Sequence, residues 1–161
     1  GAGVMRESAD VSNFDLVVLG GGSGGYAAAL RGAQLGLSVA LVEADKLGGT
    51  CLHRGCIPTK ALLHAGEIAD GAREASHFGV NATFNSIDMS GVNSYKDGVI
   101  AKLHKGLQGL VKSRNITYIE GHGKLVSKDT IEVNGARYTG GKPSKEAFDP
   151  TLLSASNRLG N

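Results

Sequence analysis

Cysteine, charge imbalance and long apolar runs are all scarce in this chain, and each shortage removes a class of function. Only two cysteines occur in 161 residues. That is too few for the disulfide framework of a small secreted domain, and it leaves a redox or metal role as the better use of the pair. The 17 basic residues nearly balance the 15 acidic ones, for a net charge of +2. Because these charges are scattered, they form no electrostatic footprint for nucleic acid or an anionic membrane surface. No apolar stretch approaches the roughly 20 residues of a membrane-spanning helix. The start Met5-Arg6-Glu7-Ser8-Ala9-Asp10 is polar, unlike a signal peptide. The expectation is a cytoplasmic protein with neither nucleic acid nor membrane as partner. Internal repeats are absent too.

Glycine, by contrast, is plentiful. There are 25, bunched at Gly20-Gly21-Gly22-Ser23-Gly24-Gly25 and Gly48-Gly49, where backbone must come close to something. The length is that of one domain, able to bury roughly two thirds of its unfolded surface. Phe14 to Leu19 is a short apolar run with β-branched residues and reads as a buried parallel strand. The glycine cluster ends it, a helix follows from Gly24 to about Leu35 with Gly36 as its stop, and Ser38 to Glu43 is a second strand. Strand, glycine turn, helix, strand is a βαβ unit with parallel strands and a right-handed crossover.

Further along, Thr59 to about Glu74 predicts a helix with Pro58 in its first turn. Ser90 to about Arg114 predicts a long one, weakened by Gly98, Gly106 and Gly109. Ile116–Glu120, Lys124–Ser127, Thr130–Val133 and Ala136–Tyr138 read as short strands of an antiparallel meander, with Asn134-Gly135 as a hairpin turn. From Gly140 the turn residues and weak periodicity suggest a loose tail.

Gly20-x-Gly22-x-x-Gly25, after a strand and opening a helix, meets the context of a dinucleotide-binding fingerprint. The first glycine permits the tight turn, the second admits a pyrophosphate, and the third lets helix and strand pack closely. The helix N-terminus at Gly24 and Gly25 offers N–H groups to phosphate, and Glu43 stands where a carboxylate takes ribose hydroxyls. A glycine-rich turn with a surface glutamate is the plainer reading of the same residues. The fingerprint reads ADP, so by itself it does not separate FAD from NAD.

The two cysteines lie in Gly48-Gly49-Thr50-Cys51-Leu52-His53-Arg54-Gly55-Cys56-Ile57-Pro58-Thr59-Lys60. Residues five apart on a regular helix are about 7.5 Å apart along the axis and point away from each other, whereas a disulfide needs Cα atoms about 4.4–6.8 Å apart. A Cys51–Cys56 bridge would therefore be strained or sit in irregular backbone, and such bridges open readily. Arg54 and the neighbouring helix N-terminus are expected to lower the thiol pKa values. Metal is the competing reading, with Cys51, His53, Cys56 and His64 as zinc-type ligands. Against it, the Cys-x-His-x-x-Cys spacing is unusual for structural zinc, and metal gives no reason for the flanking Gly48-Gly49 and Ile57-Pro58-Thr59-Lys60; no metal is expected. The remaining histidines, His77, His104 and His122, have no catalytic context.

This run resembles the active-site motif of the flavin-dependent pyridine nucleotide-disulfide oxidoreductases, and within them the dihydrolipoyl dehydrogenase branch. It matches Gly-Gly-x-Cys-Leu-x-x-Gly-Cys-Ile-Pro-Ser/Thr-Lys at Gly48, Gly49, Cys51, Leu52, Gly55, Cys56, Ile57, Pro58, Thr59 and Lys60. The resemblance implies that the first βαβ unit binds FAD, that Cys51 and Cys56 form a redox-active disulfide, and that Cys56 lies against the flavin while Cys51 faces a dithiol substrate. The cofactor-binding set it implies is Gly20, Gly22, Ser23, Gly24, Gly25, Glu43, Ala44, Gly48, Gly49, Thr50, Cys56, Lys60 and Gly123. Read without the resemblance, Gly123 is merely a turn between strands. His53-Arg54 departs from the family's common Asn-Val, a change expected to affect substrate approach or thiol pKa.

The resemblance runs from about Phe14 to Tyr138, the first part of an enzyme roughly three times this length and beyond the usual single-domain range. The implied organisation is an N-terminal extension at 1–13, an FAD-binding domain at 14–139 and a non-matching tail at 140–161. The implied fold class is α/β: a Rossmann-like FAD-binding βαβ unit with a parallel sheet, long helices and an antiparallel β-meander, incomplete relative to the family. NAD would be used by the complete enzyme without a site in this chain. The implied partners are a lipoyl-bearing protein of a 2-oxoacid dehydrogenase complex and a second subunit in a homodimer. The alternative is a catalytically inactive flavin- or ADP-binding module with a thiol or zinc switch.

Overall fold

Residues 10–141 are described by a computed structural model. The expectations for residues 1–9 and for the tail beyond Gly141 fall outside the described residues. The chain divides into two compact units, one formed by the residues up to Gly49 together with those from Gln108 onward, the other by Thr50–Leu107. In order the elements are β1 (Val11–Phe14), β2 (Leu16–Leu19), α1 (Ser23–Gln34), β3 (Val39–Glu43), α2 (Gly49–His53) and α3 (Cys56–Glu74). A 3₁₀ turn (Ala75–Phe78) follows, then α4 (Met89–Ser113), β4 (Thr117–Glu120), β5 (Lys124–Ser127), β6 (Thr130–Val133) and β7 (Ala136–Gly140).

The first unit holds two sheets, a parallel one in the order β2-β3-β4 and a mixed one in the order β1-β7-β6-β5. Val17, Ala40, Val42, Ile131 and Val133 form a buried cluster joining the two, with Phe14, Leu19, Ile119 and Tyr138 packed against it. Leu16 and Val39 face the other way, toward α1, where Gly32 comes so near that a methyl group there would stand 2.8 Å from the Leu16 side chain. The alternation of β2 thus serves two layers at once, which is why the strand reads as a continuous apolar run.

Two readings of the sequence need correction. The run Phe14–Leu19 is not one strand, because it breaks at Asp15. The Asp15 carboxylate accepts hydrogen bonds from the Ser38 N–H and hydroxyl, both 2.8 Å, while its own N–H donates to Ser38 Oγ at 2.9 Å. These bonds hold the Asp15 pKa below the ordinary carboxylate value, backbone donation first. The chain changes sheets at that point, and Val11–Phe14, with residues 11–13 assigned to an extension, pairs parallel with β7. Nor does β4 belong to the meander. It lies parallel to β3, Ala40 opposite Thr117 and Glu43 opposite Glu120. Periodicity shows that a segment is a strand but carries no information about its neighbour. Gly121, with φ +152°, then turns the chain out of the parallel sheet and toward β5.

The helices begin and end near where the pattern puts them. Gly36, at φ +81°, closes the turn after α1. Between β6 and β7, Asn134 and Gly135 both have positive φ, 52° and 79°, as a type I′ turn requires. Gly140, the start of the expected tail, instead closes β7 and donates its N–H to Asp129 O at 2.8 Å.

In the second unit α3 starts at Cys56 rather than Thr59. Arg73 stacks on the Phe84 ring at 4.1 Å, and α3, the segment before α4, and α4 itself border an apolar groove of about 440 Å³ that includes Ile68, Phe84, Ile87 and Tyr95. Among the described residues no helix is long and apolar enough to cross a membrane.

Ile131 is fully buried between the sheets. Ile131→Ala should lower the unfolding free energy by about 3 kcal/mol, read by urea titration, whereas a loss below about 0.5 kcal/mol would mean that the sheets are not packed as described.

Candidate functional site

Four of the predicted binding segments meet in the first unit, at the carboxyl ends of β2 and β3. The chain leaves β2 through Gly20, whose φ of +102° only glycine adopts readily, and its N–H donates to Val42 O at 2.7 Å. Gly22 is the N-cap of α1 and supplies no side chain, and the first turn holds no acidic residue. The helix therefore starts with amide N–H groups available to an anion and nothing to repel it. The third glycine is dictated by sterics: a Cβ on Gly25 would lie 1.7 Å from Gly20 O, far inside the sum of their van der Waals radii. Only a side-chain-free residue lets α1 begin this close to the end of β2.

Glu43, the last residue of β3, is fixed rather than loose. Its Oε2 accepts from Gly21 N–H at 2.6 Å and its Oε1 from Asp45 N–H at 2.8 Å. A carboxylate offers about four lone-pair directions, so two remain for the hydroxyls of a ribose. Gly21, a position that the fingerprint leaves open, is thus the residue that aims Glu43. A Cβ there would stand 3.1 Å from the carboxylate. The Gly48 turn joins the same end through Gly48 N–H to Gly21 O at 2.8 Å, with Gly48 and Gly49 both at positive φ.

Gly123 also arrives here. A Cβ on it would meet Leu19 at 2.5 Å and both Val42 and Ile131 at 3.1 Å. It is therefore a close-approach glycine against the tops of β2 and β3, more than the plain turn its local sequence suggests. Next to it, Gly121 N–H donates to Glu43 O at 2.8 Å and ties the end of β4 to that of β3. Tyr118 on β4 has its pKa raised, by burial first and then by the carboxylates of Glu120 and Glu43. Ser23 and Gly24 form the first turn of α1, and Ala44 directly follows Glu43. A glycine cradle, a bare helix N-terminus and an oriented carboxylate fit the diphosphate and ribose of an ADP-containing cofactor.

Thr50, Cys51, Cys56 and Lys60 belong to the second unit. Cys51 sits within α2, Cys56 opens α3, and the irregular backbone at Arg54-Gly55 separates them, as the bridge geometry demanded. Gly55 has room for little else, since a Cβ on it would lie 3.1 Å from Thr50 O. Both sulfurs are free thiols, Cys51 half-buried and Cys56 exposed. The Cys51 thiol is not lowered as expected but raised above the ordinary value. The hydrogen bond with the Cys56 sulfur is the largest cause, followed by burial and the Cys56 charge, with Lys60 pulling the other way. The neighbouring sulfur and burial outweigh Lys60, the cation that pulls the Cys51 pKa down.

The structure gives two of the histidines partners. His64 pairs with Glu67 on its own helix at 3.3 Å, and among the described residues no three His, Cys, Asp or Glu side chains gather to hold a metal. His104, which had no context in the sequence, meets His53 edge to face, with ring centroids 4.8 Å apart and planes at 78°. Nothing in a one-dimensional pattern links positions so far apart.

Comparison with known proteins agrees with this geometry. Residues 14–142 match the family described as pyridine nucleotide-disulphide oxidoreductase. The chain is 48% identical over 119 residues to dihydrolipoyl dehydrogenase 2 of Haloarcula marismortui, covering 74% of this chain and 25% of that protein. It is 49% identical over 115 residues to dihydrolipoyl dehydrogenase of Bacillus subtilis, covering 71% and 24%. With the dihydrolipoyl dehydrogenase of Thermus scotoductus it shares 45% over 128 residues, covering 80% and 28%. The chain thus spans about a quarter of the length of these relatives.

Two measurements check the site. Gly25→Ala should destabilise the protein by at least about 2 kcal/mol, because the clash is with backbone that cannot rotate away, and thermal melting reads the loss. In the reduced protein, the midpoint of the pH–rate profile for iodoacetamide alkylation of Cys51 should move down in Cys56→Ala and up in Lys60→Ala, since the first change removes the main cause raising its pKa and the second the cation lowering it. Mass spectrometry assigns the modified cysteine. Shifts of the opposite sign would refute this account of the Cys51 pKa.

From the cradle at the strand ends, the cysteine pair across a helix break and the match over residues 14–142, it follows that the chain belongs to the pyridine nucleotide-disulphide oxidoreductase family, membership of which implies an FAD site.

Proposed function

We propose that this chain is the FAD-binding segment of a dihydrolipoyl dehydrogenase, which oxidises protein-bound dihydrolipoamide through a Cys51–Cys56 disulfide and FAD, with NAD as final acceptor. The observation that carries the reading is a hydrogen-bonded thiol pair divided by a helix break in a chain that also owns an ADP-shaped cradle. The names of the relatives supply the substrate class. NAD would act in the remaining length of such an enzyme.

The chemistry of the pair follows from thiol–disulfide exchange. A substrate thiolate attacks the Cys51 sulfur, the Cys51–Cys56 bond breaks, and Cys56 leaves as a thiolate. The second substrate thiol, on losing its proton, attacks the mixed disulfide and releases Cys51, so the substrate gains one S–S bond and the protein loses one. In the reduced pair the hydrogen bond with the Cys56 sulfur favours the protonated form of Cys51, and Cys56, the sulfur assigned to the flavin side, would pass the electrons on. Bound FAD would supply the two-electron acceptor. For the cofactor, the Gly20–Gly25 turn and the start of α1 would hold the diphosphate, and Glu43 the ribose. Cytoplasmic residence, a homodimeric whole enzyme and a lipoyl-bearing partner belong to the same proposal.

Purified protein incubated with FAD should turn yellow, and a long-wavelength charge-transfer band should appear on two-electron reduction of the unsubstituted chain, be present without added reductant in Cys51→Ser, and be absent in Cys56→Ser. FAD binding with a reversible disulfide, but no dihydrolipoamide oxidation, would reduce the reading to a binding module. A protein that takes up no FAD and forms no disulfide would overturn both.

A further inference from the structure

His53 is the last residue of α2 and stands between the two cysteines. The helix is five residues long and buries only Leu52 fully. Its C-terminal end is where Arg54-Gly55 leads to Cys56, so whatever fixes the end of α2 also fixes the distance between the two sulfurs. The ring of His53 is half-buried and stands edge to face against His104, a half-buried residue on α4. Edge-to-face ring pairs are attractive beyond the area they bury, and directional. All four residues belong to the same compact unit.

We propose that the His53–His104 ring pair is a clasp that anchors the loop between Cys51 and Cys56 to α4, and so sets how readily the two thiols form and release their disulfide. His53 and His104 act here as positioning residues. The inference rests on the redox reading of the cysteine pair made above. With the clasp closed the sulfurs are held near each other, consistent with the hydrogen bond between them. With it open the end of α2 is free to swing, the effective concentration of one thiol at the other falls, and the disulfide becomes easier to reduce.

The test is a redox titration of the full chain in glutathione buffers. One glutathione disulfide is reduced to two glutathione thiols as Cys51 and Cys56 lose two protons and two electrons to form their bond, and alkylation followed by intact mass counts the free thiols. His104→Ala should lower the equilibrium constant for disulfide formation about three- to tenfold, the upper end being about 30 mV toward easier reduction. His104→Phe, which keeps a ring in place, should restore most of it. His53→Ala should match His104→Ala, and the double variant should be no worse than either. An unchanged equilibrium in both alanine variants, or an equal shift in His104→Phe and His104→Ala, overturns the clasp. Should His104→Ala not fold, His104→Phe against His53→Ala gives the same discrimination. If the unsubstituted chain forms no Cys51–Cys56 disulfide at all, the functional reading fails; if it does and the histidine variants are silent, only the clasp fails.

Discussion

The first unit depends on one steric allowance, the absence of a side chain where α1 passes the end of β2. A Cβ at Gly25 would overlap Gly20 O, so helix and strand could not meet at this distance with any other residue. From that approach follow the seating of Gly22 as a bare N-cap, the direction of the first-turn amides and the reach of Gly21 N–H to Glu43. Gly123 repeats the device on the opposite side, pressed on Leu19, Val42 and Ile131. Glycine is therefore used here to bring elements together, and the anion-accepting end of the unit is a by-product of that closeness.

The second unit works by a different constraint. A single continuous helix from Gly49 to Glu74 would have carried the two cysteines to different faces and heights. The break at Arg54-Gly55 prevents this and leaves the two thiols within hydrogen-bonding reach. Neighbouring sulfur and burial hold Cys51 protonated, and Lys60 opposes them weakly.

How much of this could be read from the sequence varied with how local the determining physics is. The βαβ unit was legible because the glycine spacing, the apolar runs flanking it and the alanine-rich helix all report the same local geometry. The Asn134-Gly135 turn was legible because its two positive φ angles demand those residue types. The partner of β4 was not, since strand pairing is decided by contacts with Ala40 to Glu43 far earlier in the chain. The sheet change at Asp15 was hidden for a similar reason: the bonds that cause it are made with Ser38. At the site, the fingerprint glycines, Glu43 and the two cysteines stood out by type and spacing. Gly21 did not, because its part is played by an N–H that every residue but proline carries, and neither did His104, whose partner is on another element.

The parallel pairing of β1 with β7 sets Val11 beside Arg137 and Phe14 beside Gly140, and Gly141 N–H donates back to Phe14 O at 2.6 Å. The two ends of the described span therefore lie roughly 15 Å apart, about four residues of strand, on neighbouring strands of one sheet. A short flexible connector can close that gap, making the span suitable for circular permutation or for insertion as a cassette into a surface loop of an unrelated host.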